Sequence, residues 1–169
     1  MTPKSIIIHH TASNRESTTL ENINEWHKER WPDFKSVLGY WIGYHFVILG
    51  DGQVIQTRQE TEEGAHTLGG WNQKSIGICL TGSFNDWEVA EAQKNALQGI
   101  LVRLATRYDI PKSQIYSHRE LWATACPGDN LQRWIEQYRK PQFSVQEQIQ
   151  AIMEKIEWVK AELKKLLGL

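Results

Sequence analysis

Short β-branched runs alternate with longer segments of helical periodicity along this chain, and the alternation restricts its fold. The runs KSIIIHH at 4–10 and SIGICLTG at 75–82 have the length and composition of buried strands. Residues 43–58 predict two strands joined around a central Asp-Gly dipeptide, which is typical of tight hairpins. A further strand is predicted at SQIYSH, residues 113–118. Chains that alternate strands and helices in this way form layered α/β folds.

Three segments between and after these strands have the apolar spacing of amphipathic helices. The first, TTLENINEWHKER at 18–30, begins with threonines that are suited to cap a helix. The second covers 87–110 and ends before a proline, and the third is NLQRWIEQYRK at 130–140. The sequence therefore predicts the α/β class, with a central mixed β-sheet flanked by helices in one domain over residues 1–140.

Length and charge narrow the functional classes. The chain has 169 residues and a formal net charge of −1. Such a length is sufficient for a core without disulfide bonds, and the near-neutral charge gives no support to nucleic-acid binding. The N-terminal residues lack the basic-then-apolar pattern of a secretory leader, and no apolar run approaches the roughly 18 residues of a membrane span. We therefore expect a protein without a signal peptide of its own.

Residues 141–169 predict a linker followed by a C-terminal amphipathic helix. Ser144 and Glu147 form a capping-box pattern, and the apolar residues beyond them recur with the spacing of a heptad seam. A lone helix of about three heptads is marginal in water unless its apolar stripe is covered. Three partners could bury this stripe: the chain's own domain, further copies of the chain, or a membrane surface. The apolar positions are Val145, Ile149, Ile152, Ile156, Val159, Leu163 and Leu166.

The two cysteines lie in different surroundings. Cys79 lies within SIGICLTG and is expected to be a buried thiol used in packing. Cys126 lies in a loop eight positions after His118, and a third donor is available from His9 or His10 at the end of the first strand. Two imidazoles and one thiolate leave one position of a zinc ion open, which suits the polarisation of a carbonyl. By spacing alone, however, such a His-Cys pair is more often a coincidence than a metal site.

Five motifs in order make the chain similar to a known family. They are IIIHHTAS, WHKER, GYHFVILGDGQV with a following arginine, GAHTLGGWNQKSIGICLTGSF and HRELWATACPGDNL, and they lie within residues 4–138. Together they resemble the zinc-dependent N-acetylmuramoyl-L-alanine amidases of the type-2 amidase family, which includes phage endolysins and peptidoglycan recognition proteins. The resemblance implies that residues 1–140 are a catalytic domain with zinc as cofactor and bacterial peptidoglycan as partner. It also implies hydrolysis of the amide bond between N-acetylmuramic acid and L-alanine.

The resemblance also assigns roles to individual residues. It places the zinc ligands on His9, His118 and Cys126, and the catalytic tyrosine on Tyr44. The neutral phenol of this tyrosine would hydrogen-bond the attacking water or the developing oxyanion. Thr124 stands where some phage members carry a lysine, and it is a second catalytic candidate that brings a hydroxyl group without a charge.

Three residues match positions that border the family's substrate groove. They are His66, Trp71 and Asn72, which we predict to contact substrate; the alternative for His66 is a structural hydrogen bond. The remaining histidines of the motifs, His10 and His45, are expected to be structural. Arg119 and Glu120 directly follow His118, and one of them is expected to orient it; the alternative is a salt link on the surface.

The sequence thus predicts a zinc amidase that degrades cell walls. A compact chain without a leader resembles a phage endolysin, which collects in the host cytoplasm before it is released to the wall. The alternative is a recognition module that binds muropeptide without cutting it, although non-catalytic relatives typically lack the cysteine that this chain has at Cys126. Self-association or envelope contact through the C-terminal helix is a further expectation.

Overall fold

The computed structural model describes residues 1–141 and 145–167, and the chain divides into two compact units, Met1–Arg139 and Lys140–Leu169. The first unit has the predicted class, a central mixed sheet flanked by helices. In chain order its elements are β1 (Ser5–His10), α1 (Leu20–Arg30), β2 (Phe46–Ile48), β3 (Val54–Gln56), β4 (Ser75–Leu80), α2 (Glu91–Tyr108), β5 (Ile115–Ser117) and α3 (Asp129–Arg139). Two 3-10 turns, Lys112–Gln114 and His118–Glu120, lie on either side of β5.

The five strands form one sheet in the order β3-β2-β4-β1-β5. Strands β2, β4, β1 and β5 run parallel to one another, and β3 is antiparallel to β2. Both β1 and β4 are buried along their whole length. This burial explains why their central residues do not alternate between apolar and charged side chains, because a parallel strand is covered on both faces. The carboxyl end of β1, with its two histidines, lies between the carboxyl ends of β4 and β5, and we call this end of the strands the edge of the sheet.

The first unit has two apolar clusters, and alternate side chains of β1 lie in the larger one. Ile6 and Ile8 lie in the larger cluster, with residues of α2 and α3. The smaller cluster is formed by Leu20, Ile23, Ile42 and Val47, and Tyr44 packs against it. Since successive side chains of a strand point to opposite faces, His9 lies on the face opposite Ile8, and His10 lies on the face of α2 and α3.

Some predicted boundaries were wrong. Helix α2 begins at Glu91 rather than at 87, because the preceding segment forms a turn tied to other parts of the chain. The amide of Trp87 donates to the carbonyl of Ser83 at 3.2 Å, and the carbonyl of Trp87 accepts from Asn130 Nδ2 at 2.8 Å. The strand predicted at 113–118 is shortened to three residues by the 3-10 turn before it.

The second unit contains helix α4 (Val145–Leu167). Its predicted cap, Ser144, lies outside the described residues. The heptad-spaced apolar residues from Ile149 to Leu166 fall within this one helix. In the described ranges, no helix combines the length and the apolar character that crossing a membrane requires.

Candidate metal centre

Three side chains from separate parts of the chain converge at the edge of the sheet. His9, His118 and Cys126 each contribute one donor atom, and these atoms lie within 4.8 Å of one another. The pairing of β1 with β5 explains the approach, since Ile8 lies opposite Ser117 and the two histidines follow on adjacent strands. Their ring centroids are 4.6 Å apart. The structure thus brings together the three residues that the sequence predicts as metal ligands.

The donor geometry fits a zinc ion. His9 Nδ1 lies 3.8 Å from Cys126 Sγ. In a tetrahedral site with ordinary zinc bond lengths, a nitrogen and a sulfur ligand are about 3.6 Å apart. Two neutral imidazoles and one thiolate would leave a net charge of +1 and one open coordination position. This is the arrangement of a catalytic rather than a purely structural zinc site.

The thiol of Cys126 is half-buried and is held by its neighbours. The backbone amide of His10 donates to Sγ at 3.4 Å, and the amide of Cys126 itself donates to Thr124 Oγ1 at 3.2 Å. Burial raises the pKa of the Cys126 thiol to about 12, although the His10 backbone opposes the shift. A coordinated cation reverses this preference, because a thiol that binds a metal is deprotonated. The His10 amide would then stabilise a thiolate ligand.

The far side of the His9 ring contacts a second histidine. His9 Nε2 lies 3.0 Å from Nδ1 of His66, and both rings are buried. Burial lowers the pKa of His9 and of His66 well below the usual value, so both rings are neutral at pH 7. The two ring nitrogens of His9 thus have different neighbours: Nδ1 faces Cys126, and Nε2 contacts the buried ring of His66.

Tyr44 lies beside the His9 ring, with the two ring centroids 5.2 Å apart. It lies two residues before strand β2, and its carbonyl accepts a hydrogen bond from Thr57 Oγ1 at 2.8 Å. The preceding amide, that of Gly43, donates to His27 Nδ1 at 2.9 Å. Burial, followed by the nearby thiols, raises the pKa of Tyr44 well above its ordinary value. The phenol is therefore a neutral donor next to a predicted ligand.

The turn that carries His118 is fixed through its backbone. Ser117 and Glu120 form a capping box, and the amide of Ser117 donates to Glu120 Oε2 at 2.7 Å. Glu120 also pairs with Arg139 of α3 at 2.7 Å. Arg119 pairs with Asp129 at 2.6 Å and donates to a carbonyl of the Cys126 loop. Arg119 and Glu120 thus both hold the backbone of the segment that carries the predicted ligands His118 and Cys126.

The residues predicted to contact substrate occupy different positions. His66 is buried against His9, and Asn72 Oδ1 accepts hydrogen bonds from the amides of His66 and Thr67 at 3.0 Å each. Trp71 is half-buried, with its ring edge on Tyr116. Substrate contact by these three residues stays a prediction, and so does a catalytic role for Thr124.

Two contacts of the site were not predicted from the sequence, although each has a local signal. They are the capping box of Glu120, which was predicted only as a residue that could orient His118, and the glycine slot around His66. The pattern Ser-x-x-Glu at 117–120 is a capping box and could have placed Glu120 at the turn. Gly77 is an isolated glycine inside a strand, which often marks a close approach by another group. A Cβ atom at Gly77 would lie 2.5 Å from the ring of His66.

Comparisons with known proteins agree with this geometry. The family model for N-acetylmuramoyl-L-alanine amidase matches residues 1–129. Peptidoglycan-recognition protein SC2 of Drosophila melanogaster is 39% identical over 139 residues, which cover 77% of this chain and 70% of that protein. The endolysin of Enterobacteria phage T3 is 34% identical over 142 residues, which cover 80% of this chain and 87% of that protein. The structure of N-acetylmuramoyl-L-alanine amidase LysC from Clostridium intestinale has a TM-score of 0.70 at 30% identity, covering 83% of this chain and 88% of that one. This chain belongs to the N-acetylmuramoyl-L-alanine amidase family.

Proposed function

We propose that this chain is a zinc-dependent peptidoglycan hydrolase of the endolysin type. It cleaves the amide bond between N-acetylmuramic acid and the L-alanine of the stem peptide. The observation that carries the proposal is the convergence of His9, His118 and Cys126, with Tyr44 against His9, in a chain of the amidase family. Zinc bound by the three donors would act as a Lewis acid that lowers the pKa of a water molecule and polarises the amide carbonyl.

The chain's own residues supply the rest of the chemistry. The neutral phenol of Tyr44 donates a hydrogen bond to the carbonyl oxygen as negative charge develops there. Thr124 already accepts a hydrogen bond from the Cys126 amide, and its hydroxyl hydrogen can serve as a second, weaker donor. The sheet holds His9 rigidly, so the scissile amide meets a preorganised set of donors.

Release of new amino termini tests the proposal. Wild-type protein with one equivalent of zinc is incubated with purified peptidoglycan, and the fragments are examined by mass spectrometry. New L-alanine amino termini are expected from the wild type but not from Cys126→Ser, which should still bind the polymer. If the loaded wild type releases none, the amidase proposal is wrong and a recognition module explains the fold better. Cleavage by Cys126→Ser at the wild-type rate would also contradict the assigned metal site.

Two finer parts of the proposal concern where the protein acts. The endolysin resemblance supports accumulation in the host cytoplasm before release to the wall. The heptad spacing within α4 supports self-association or envelope contact through this helix. Light scattering on the full chain and on a chain ending at residue 140 tests self-association, and sedimentation with phosphatidylethanolamine–phosphatidylglycerol vesicles tests envelope contact. Monomeric mass and absence from the vesicle pellet for both chains would contradict this role of α4.

A further inference from the structure

His66 links the predicted ligand His9 to the interior of the first unit. The Nδ1 atom of His66 lies 3.0 Å from His9 Nε2, and the two rings meet edge to face with centroids 5.0 Å apart. Only 8% of His66 is exposed. The contact lies on the opposite side of the His9 ring from the Nδ1 atom that faces Cys126. His66 is therefore placed to act on the metal centre through His9.

The His66 ring lies in a slot made by two glycines. A Cβ atom at Gly64 or at Gly77 would lie 2.5 Å from His66 Cδ2, so any larger residue at either position would displace the ring. Asn72 holds the backbone of the same loop, because its Oδ1 accepts the amides of His66 and Thr67. The backbone carbonyl of Asn72 also accepts a hydrogen bond from the amide of Gly64 at 3.2 Å. Both the ring and the backbone of His66 are thus held in one position.

The positions of the ring hydrogens decide which histidine is the donor in the contact between His9 and His66. A neutral imidazole carries one N–H, and a metal needs the lone pair of the ligating nitrogen. If His9 Nδ1 is the ligating atom, the His9 hydrogen lies on Nε2 and is donated to His66 Nδ1. The hydrogen of His66 then lies on its own Nε2, which is buried, and the ring also interacts with the backbone of Ser75. The reverse direction would place a hydrogen on His9 Nδ1 and block it as a ligand.

We propose that His66 is a positioning residue for the metal centre. By accepting the Nε2 hydrogen of His9, it holds the His9 ring in the tautomer and orientation that present Nδ1 to zinc. Gly64, Gly77 and Asn72 fix His66 in turn. The inference rests on the proposed function, and it replaces substrate contact as the role of His66.

Zinc affinity is the main test. His66→Phe keeps a ring in the slot but removes the acceptor, whereas His66→Asn keeps a polar group near the position of Nδ1. Competition with a chromogenic chelator should show zinc binding weakened about 10–100-fold in His66→Phe, as expected for the loss of an outer-shell partner. His66→Asn should recover a large part of this loss. Leu104→Ala is the control, because it opens a cavity in the core cluster and should lower the unfolding temperature without changing zinc affinity.

The tautomer of His9 supplies a second measurement that needs no metal. Long-range nitrogen–proton NMR spectra of metal-free wild-type protein should show the His9 hydrogen on Nε2. A hydrogen on Nδ1 would overturn the inference, even if His66→Phe does not fold. Unchanged zinc affinity in folded His66→Phe would overturn it as well. Loss of muropeptide binding by that variant, at wild-type zinc affinity, would instead restore the role in substrate contact.

The inference and the proposed function fail in different ways. If wild-type protein binds zinc and shows the predicted tautomer but releases no L-alanine amino termini, the amidase proposal fails and the role of His66 remains. If amino termini are released while His66→Phe keeps wild-type zinc affinity, only the role of His66 is wrong.

Discussion

The two halves of the candidate metal centre are built differently. His9 belongs to a central buried strand and lies opposite Cys79 in the sheet ladder. His118 and Cys126 lie on the segment between β5 and α3, where half-exposed ion pairs and caps hold the backbone. His9 is therefore held by the buried sheet, whereas His118 and Cys126 are held by contacts of a surface segment. We call the part with His9 the strand side and the part with His118 and Cys126 the loop side. Substitutions on the strand side should weaken metal binding and lower the free energy of unfolding, whereas substitutions on the loop side should weaken metal binding with little effect on the free energy of unfolding.

Removing one ligand from each side gives the largest expected effect. His9→Ala and Cys126→Ser should both abolish measurable amidase activity. In metal-free protein, His9→Ala should lower the free energy of unfolding by about 2–4 kcal/mol, because it leaves a cavity and an unpaired His66. Cys126→Ser should lower it by less than about 1 kcal/mol. Urea unfolding in the presence of a chelator measures the difference, and equal losses would remove the distinction between the two sides.

Tyr44→Phe should separate chemistry from metal binding on the strand side. Removal of one preorganised donor to a developing oxyanion lowers kcat about 100–1,000-fold. Zinc affinity should stay at the wild-type value, because Tyr44 is not one of the three predicted ligands. Tyr40→Phe is the matched control, since Tyr40 packs against the same small apolar cluster. A fall in zinc affinity with unchanged kcat in the loaded enzyme would contradict the catalytic role.

Thr124 provides a smaller effect on the loop side. Thr124→Val should lower kcat by no more than about tenfold, because the aliphatic hydroxyl of threonine is less acidic than a phenol and is therefore the weaker donor to a developing charge. Thr124→Ser keeps the hydroxyl and should retain nearly full activity. Steady-state kinetics on a soluble muropeptide distinguish the two variants. Equal losses in both would show that the methyl group, rather than the hydroxyl, is the important part of this side chain.

The smallest expected effect is a pH-dependent one at Glu120. Burial alone would raise the pKa of this carboxyl, but hydrogen bonds from Arg139 and the Ser117 amide outweigh it, and the net pKa is lowered. A carboxyl with a lowered pKa stabilises the fold above its unfolded pKa of about 4.3, and this stability is lost as the pH falls through the folded value. Glu120→Gln should therefore be less stable than wild type at pH 7, by about 1 kcal/mol or less for a partly exposed pair. The difference should shrink below about pH 4 in urea titrations; a constant difference at every pH would exclude this linkage.

The sequence could predict the parts of the fold that depend on local pattern. Strands β1 and β4 are continuous apolar runs because both of their faces are buried, and burial leaves a clear trace in composition. The start of α2 could not be predicted in this way. It depends on contacts of Trp87 with Ser83 and with Asn130, and the second of these is remote along the chain.

The candidate site also has parts that the sequence predicts and parts that it does not. The trio His9, His118 and Cys126 follows from motifs that resemble a family, and the structure brings these residues together. The contact of His66 with His9 joins residues 57 positions apart, and the motif GAHTLGGWN does not indicate which way the ring points. The ring fits between Gly64, two residues before it, and Gly77 on strand β4, and the contact with Gly77 is a packing effect between separate elements that a linear pattern does not encode.

The loop that carries His66 has a hydrogen-bonded base and an exposed tip, and this difference can be used in protein engineering. Asn72 closes the base by its bonds to two amides. At the tip, Gly69 and Gly70 have φ angles of +68° and +75°, and 57% of Leu68 is exposed. Residues at 68 and 71 can therefore be randomised in a library while the glycines and the base are kept. Such a library would search for altered cell-wall preference without rebuilding the metal centre.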